Sequence, residues 1–504
     1  MTRAQPQTAN PRWLPALIAA ASLCASAPAA AVSQVFLVQN SGWMEPFYSD
    51  PHSQLKPLVT ELVLAVSQPG DRMVLAAFNQ GLPGAPSPKG LLALTVDPKT
   101  ERAQVAGALD ALTVAHKPGS ATLADTDLTE AVSAAIGTAL DHKSGLIWLF
   151  TNNRNSPNND QATARRNREF YQLIHQGADI SKALAYPLQM PVQGAQYRAN
   201  GLMVYVFAVG EQGAKDLDAL LASGRIQKII TEPPARLKPL DRDTVRLVPT
   251  RVDDAPGVAF SMAPGGLLRA DVESSARTPS AKIAWKLENT IYPYTIAAAT
   301  ISARSVLAGQ DKLIALDGDA VSALVPGTGQ PLRSTMQLPA AQLPSQWSLA
   351  ALGSAGSAYV LPGRIELTLH DQRLELSQAF RDRMAALFPG DPLPDIFTPP
   401  AQIGGATAVL PIEVRVHFGV APLFALIGGV LVLLAGGGAA LALFNRPRKV
   451  QVTVEDELRT LHTRVGSTQA IFDKSGTKVA QLHTTLFGHQ LTDLREGAQV
   501  RLGR

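Results

Sequence analysis

Val35-Phe36-Leu37-Val38-Gln39-Asn40-Ser41-Gly42-Trp43-Met44 is the stretch from which the fold is read. Four apolar residues run into a cluster of small polar residues and glycine, the pattern of a short buried strand ending in a turn. Leu55, Leu58, Val59, Leu62 and Val66 then recur at helical spacing, and Asp71-Arg72 opens a second apolar run, Met73-Val74-Leu75-Ala76-Ala77-Phe78. One helix is predicted after Pro98 and another over 125–140, with Leu128, Ala131, Val132, Ala135 and Ile136 inward. Residues 146–150 and 202–209 complete the strands, which are read as parallel. Near-continuous apolar strands alternating with amphipathic helices predict an α/β, doubly wound (Rossmann-like) domain over 32–235. Its working surface is expected at the C-terminal ends of the strands.

Those ends carry a resemblance. Val38-Gln39-Asn40-Ser41-Gly42-Trp43-Met44 looks like the first loop of a von Willebrand factor A domain, which reads strand and then D-x-S-x-S. Thr126-Asp127-Leu128-Thr129-Glu130-Ala131-Val132 is similar to the second loop, where a threonine begins a helix. Leu149-Phe150-Thr151-Asn152-Asn153 aligns with the third loop, a Thr-Asp pair after a strand, and Val206-Phe207-Ala208-Val209-Gly210 resembles the late strand that ends in glycine. No single motif is specific; the ordered set over about 200 residues carries the weight. The resemblance implies a membrane-anchored, bacterial-type member of the family that binds another protein.

The departures define the site. In the family the loops form a metal-ion-dependent adhesion site that holds Mg²⁺ through two carboxylates and three hydroxyls. Here Gln39 stands in place of the first aspartate, Trp43 of the second serine and Asn152 of the last aspartate; Ser41 and Thr126 remain. Mg²⁺ needs charged oxygens to offset its dehydration. A degenerate site of Gln39, Ser41, Trp43, Thr126 and Asn152 is therefore expected to bind without metal or other cofactor. Asp125, Asp127, Glu45 and Asp50 lie near in sequence, and the alternative is a metal-dependent adhesion receptor whose site these acids rebuild.

Plainer roles compete for the same residues. Asp125 and Thr126, with Asp127 and Glu130, fit an ordinary helix N-terminus. Ser41 and Gly42 suit a turn, and Gln39 and Asn152 suit hydrogen bonds to each other or to backbone. Residues 152–160 read as a solvated loop or a binding rim. Arg165, Arg166 and Arg168 read as a solvated face or a docking patch for an acidic partner. Trp43 is either an anchor for a partner or packing under the loop.

Outside this domain the chain is punctuated by membrane signals. Residues 1–31 carry Arg3 and Arg12, an apolar run from Trp13 to Ala20 and a small-residue end at Ala27-Pro28-Ala29-Ala30-Ala31, the layout of a secretory signal peptide. The only cysteine, Cys24, falls within it, so the processed chain holds no disulfide. From Phe418 to Phe444 there is no charged residue, long enough to cross ~30 Å of hydrocarbon. In water Gly436-Gly437-Gly438 would cost such a helix about 3 kcal/mol, which argues against a soluble core helix. A transmembrane helix is expected over 417–444. Arg446, Arg448 and Lys449 follow, which places the tail, 445–504, in the cytoplasm and the earlier domains in the periplasm. Ala425/Gly429 and Gly436/Ala440 give the spacing for a homodimer through the span.

Between these landmarks, 236–416 reads as a β-rich, sandwich-like extracytoplasmic region. Its predicted strands lie near 245–249, 281–287, 294–296, 364–369 and 412–416, with a turn at Asp371-Gln372-Arg373 and a short helix over 377–387. The tail carries strand-like pieces at 450–454 and 498–504, and Leu494-Arg495-Glu496-Gly497 with its sequel faintly resembles the start of a forkhead-associated domain.

Composition narrows function further. The chain has 504 residues, 46% apolar and 17% charged, with a net charge of +4 and a mean hydropathy of +0.06. Near charge balance without a basic stripe disfavours nucleic acid. Nine scattered histidines without HExxH disfavour zinc. No Gly-x-Ser-x-Gly elbow supports Ser41 as a hydrolase nucleophile. The expectation is a non-enzymatic interaction or scaffold protein of the inner membrane.

Overall fold

A computed structural model describes residues 31–99, 102–155, 161–253, 256–273, 276, 280–307, 309–338, 343–345, 347–354, 357–390, 393–401 and 403–503. The expected signal segment, residues 1–31, and the far part of the 152–160 loop fall almost wholly outside them.

The first unit contains strands β1 (Ser33–Gln39), β2 (Arg72–Phe78), β3 (Lys89–Thr95), β4 (Gly145–Thr151), β5 (Ile180–Gln193), β6 (Arg198–Val209) and β7 (Ala235–Lys238). Its helices are α1 (Glu45–Ser49), α2 (Leu55–Val66), α3 (Arg102–Asp110), α4 (Leu128–Ala134), α5 (Gln161–Gln176) and α6 (Gly210–Ala222). The seven strands form one sheet in the order β3-β2-β1-β4-β6-β5-β7. Successive side chains of a strand point to opposite faces, and β1 shows the result. Phe36 and Val38 join α2, α3 and α6 in one core, while Val35 and Leu37 join α4 and α5 in the other. Both faces are covered, which is why these strands read as unbroken apolar runs.

The sheet is mixed rather than wholly parallel. β1 runs parallel to β2 and β4, but β6 lies antiparallel to β4, with Val209 opposite Gly145. Gly210 therefore sits at the end of the sheet opposite the C-terminus of β4, which corrects the parallel reading of 202–209. Sequence reading also missed β5. Pro187 and Pro191 interrupt its pattern, yet β7 pairs with β5 only at Ala183–Ala185. Beyond that point β5 is an edge strand, where proline costs no ladder bond on the open side.

The second unit holds β8 (Val245–Asp253), β9 (Val258–Ala263), β10 (Leu267–Glu273), β11 (Ser280–Asn289), β12 (Tyr294–Leu307), β13 (Gln310–Leu313), β14 (Ala315–Leu316), β15 (Ala320–Leu324), β16 (Gly329–Gln337), β17 (Ala358–Leu376) and β18 (Ala406–His417). One sheet runs β13-β12-β17-β18-β10-β9, with β15 on β12; a second runs β14-β16-β11-β8. Alternate residues of both sheets, among them Ile283, Trp285, Ile301, Leu367 and Val414, share a single core. The turn expected at 371–373 is instead an irregularity within β17. Asp371 takes φ 51°, a left-handed conformation that aspartate tolerates, and β17 continues to Leu376.

Helices α7 (Leu349–Gly353) and α8 (Gln378–Leu387) belong to this stretch of chain, but α8 returns to the first unit. Phe380, Met384, Leu387, Ile396 and Phe397 complete the core beneath α4 and α5. Arg383 donates to the Pro187 carbonyl at 2.8 Å and Tyr171 to that of Thr398 at 3.2 Å. The boundary drawn at 235 is thus crossed twice, by β7 and by 378–398.

Helix α9 (Ala421–Phe444) is apolar and long enough to cross a membrane by length and composition. Beyond it, β19 (Arg448–Val454), β20 (Glu457–Thr463), β21 (Thr468–Phe472), β22 (Lys478–Thr485), β23 (Gly488–Thr492) and β24 (Val500–Leu502) form two three-stranded sheets around one small core.

Candidate functional site

Three elements converge on Gln39, the last residue of β1. Parallel pairing sets Val38 opposite Phe150, so Gln39 and Thr151 end neighbouring strands together. The loop after β1 turns through Gly42–Met44, where the Gly42 N–H bonds the Ala124 carbonyl at 2.8 Å. A Cβ on Gly42 would lie 2.7 Å from Leu123 Cβ. This close approach brings Thr126, just ahead of α4, onto Ser41.

Gln39 binds these elements through its side-chain amide. Nε2 donates to Ser41 Oγ at 2.7 Å and to Thr126 Oγ1 at 2.9 Å. Oε1 accepts from Thr151 Oγ1 at 2.5 Å and from the Asn152 N–H at 3.2 Å. The backbone N–H can only donate, so it fixes which way the amide points. Ser41 Oγ and Thr126 Oγ1 are 2.5 Å apart and share a hydrogen bond of their own. Gln39, Ser41, Thr126 and Thr151 are completely buried. The amide nitrogen thus faces both hydroxyl oxygens at once.

A second ring of amides closes the loop from β4. Thr151 Oγ1 accepts from the Asn153 N–H at 2.9 Å, and Tyr205 donates to Asn153 Oδ1 at 2.5 Å. Asn155 Oδ1 accepts from the Leu128 N–H at 3.0 Å, satisfying an otherwise orphaned donor of the first turn of α4. Asn152 Nδ2 donates to the Trp43 carbonyl at 2.9 Å. Above this layer the Trp43 ring meets Arg154, 4.3 Å from its centroid, and Tyr197, at 4.5 Å. Arg154 also donates to the Pro389 carbonyl at 3.1 Å, so the rim also holds the chain just after α8. Trp43 Nε1 is buried and meets no acceptor among the described residues.

The neighbouring acids are engaged elsewhere. Asp125 pairs with Lys117 at 2.8 Å. Asp127, not Asp125 or Thr126, is the N-cap of α4; it accepts from the Glu130 N–H at 2.9 Å and lies 3.4 Å from Arg166. Arg166 is therefore committed, and Arg165 pairs with Glu169. Glu45 accepts from Ala195 N–H at 2.9 Å and Asp50 from Gln193 N–H at 2.8 Å. Burial raises the Glu45 carboxyl, but hydrogen bonds from Ala195, Ser49 and Gln196 outweigh it and hold its pKa below the ordinary value. Backbone donors from Gln193 and His52 lower that of Asp50. Among the described residues no group of three or more His, Cys, Asp or Glu is placed to hold a metal.

All five predicted site residues come together here. Thr151, Asn153, Asn155, Arg154, Tyr197 and Tyr205 join them without having been assigned to the site. Thr151 and Asn153 had a signal, their place at the end of β4; Tyr205 lay on the predicted strand 202–209, but its antiparallel pairing was not legible, and Tyr197, in the hairpin before it, had no signal. Beside the site a cavity of about 830 Å³ opens between the ends of β2 and β3, lined by Asn79, Gln80, Lys89 and His116. Asn40 forms its wall, accepting from Asn79 Nδ2 at 3.0 Å and donating to the Thr113 carbonyl at 3.2 Å.

No protein-family model matches this chain, and no curated protein does. Among solved structures, the N-terminal domain of PorA aligns with 35% of this chain and 98% of its own, at 11% identity and a TM-score of 0.12. A likeness at that level carries no argument.

Proposed function

We propose that the chain is a membrane-anchored, extracytoplasmic interaction or scaffold protein whose first unit is a von Willebrand factor A-like domain that works without a metal ion. The observation that carries this reading is the Gln39 amide, which donates to Ser41 Oγ and Thr126 Oγ1 at once. A divalent ion bound there would need those same oxygens, and it would meet N–H groups instead of carboxylates. The rebuilt-site alternative is disfavoured because Asp125, Asp127, Glu45 and Asp50 already have partners. With no chemistry assigned to the buried amides, the half-buried rim around Trp43, Arg154 and Tyr197 is the part left to meet another protein. Aromatic and arginine side chains are the usual anchors of such contacts.

A photo-crosslinker at Gln196, beside Tyr197, tests this in native membranes. The reading expects a discrete protein adduct whose yield is the same in Mg²⁺ and in chelator. Loss of the adduct on chelation contradicts metal independence; no adduct in either condition contradicts the rim as a protein-binding surface.

A further inference from the structure

We propose that α7 and the preceding Trp347 rest in the outer lipid headgroup layer beside α9, giving the second unit a membrane contact besides its covalent one. The proposal rests on reading α9 as a membrane span.

Geometry sets the place. α7 packs against α9. Ala358, shortly after α7, pairs with His417, shortly before α9. Both helices therefore adjoin the same end of the β17–β18 ladder. Ser348 caps α7, accepting from the Ala351 N–H at 3.1 Å. Ala351 is buried in the sheet core, whereas Trp347 is 66% and Leu349 86% exposed. One side of the helix is thus fastened to the protein, and the other presents a large aromatic and a leucine. Val420, the residue before α9, is also exposed. Residues 343–354 contain no charge.

In water this patch is an unfavourable apolar surface beside a bare apolar helix. At a bilayer surface the same residues are favoured. Tryptophan is enriched at headgroup level, and short helices lie there with their apolar side turned to the acyl chains. The occupant fitted to an uncharged apolar patch next to a membrane entry point is the lipid that surrounds the span.

The test uses the full chain, with Cys24→Ser, in nanodiscs of phosphatidylethanolamine and phosphatidylglycerol. Single cysteines carry nitroxide labels: Leu349→Cys and Trp347→Cys on the patch, Leu431→Cys within the span, and Leu313→Cys as an exposed reference on β13. Collision with oxygen, relative to a water-soluble nickel complex, is expected to be several-fold higher at 349 and 347 than at 313, approaching that at 431. Equal ratios at 349, 347 and 313 overturn the lipid contact while leaving the span intact. Protection from both reagents at 349 and 347 means that protein, including a second copy, covers the patch, and this also overturns it. A water-like ratio at 431 removes the span reading and the proposal together.

Discussion

Gln39 donates to Thr126 Oγ1 across 2.9 Å, tying the end of β1 to the threshold of α4, 87 residues later in the chain. With Thr151 and Asn152 on its other side, this one amide closes four hydrogen bonds inside a fully buried pocket. Replacing it exposes their worth. Gln39→Leu leaves several buried hydroxyls and an N–H short of a partner. At ~1–3 kcal/mol for each unsatisfied group, partly recovered by re-pairing, the expected loss is about 3 kcal/mol. Denaturant unfolding followed by tryptophan fluorescence measures it; a change within error means that the network is not formed.

Gln39→Glu should show a distinct pH signature. Burial without a positive partner disfavours the charged acid, raising its folded pKa above the unfolded value of about 4.3. Stability relative to wild type is then best at low pH, where the protonated acid can still donate one bond. It falls as pH rises through the raised value. A pH-independent difference between the two proteins argues against a buried, unpartnered side chain at this position.

Phe380 belongs to the core of a domain whose last strand ends at Lys238. Phe380→Ala should therefore destabilise the first unit, by about 3–5 kcal/mol as for other fully buried phenylalanines. Hydrogen exchange localises the effect: protection should drop in α5 and β6. A loss confined to β8–β18 would mean that 378–398 does not dock there.

His175 makes the same docking sensitive to acid. Burial depresses its pKa below 6.5, against the opposing hydrogen bond to the Ile396 carbonyl. A depressed folded pKa means that the unfolded state takes up the proton first. The stabilising contribution is complete above about pH 6.5 and is lost as pH falls toward the folded value. His175→Gln should flatten this part of the stability profile. An unchanged slope would place the proton uptake elsewhere.

Topology is expected to be outside-N and inside-C, from the charge-free run and the Arg446, Arg448 and Lys449 that follow it. A reporter active only in the cytoplasm should work when fused after Arg504 and be silent when fused after residue 355. The opposite pattern reverses the orientation.

Much of the first unit was legible because its strands are buried on both faces, so Val35–Val38 and Leu146–Phe150 stand out as apolar runs flanked by polar ends. Gln39, Ser41 and Asn152 were picked out by their resemblance to family loops that follow such runs, and Thr126 by its resemblance to the loop in which a threonine begins a helix. Strand direction was not legible. Nothing local in Leu202–Val209 distinguishes a parallel from an antiparallel neighbour, and the prolines of β5 hid the hairpin that decides it. Phe380, Met384 and Leu387 form a readable helical stripe, but which core they fill is set by long-range packing. The cap of α4 was displaced by one or two positions, to Asp127, because Thr126 is drawn into the Gln39 network.

The most direct measurement is thermal unfolding of the full chain with excess Mg²⁺, Mn²⁺ or chelator, for wild type and for Gln39→Asp with Asn152→Asp. A site holding its ion near a thousand-fold excess over Kd would gain about 4 kcal/mol. No resolvable shift is expected for wild type, because the Gln39 amide already satisfies Ser41 and Thr126. The doubly substituted chain, with two carboxylates beside those hydroxyls, should gain an ion-dependent rise that Trp43→Ser enlarges. A rise of several degrees in wild type, abolished by Thr126→Ala, would contradict the metal-free site.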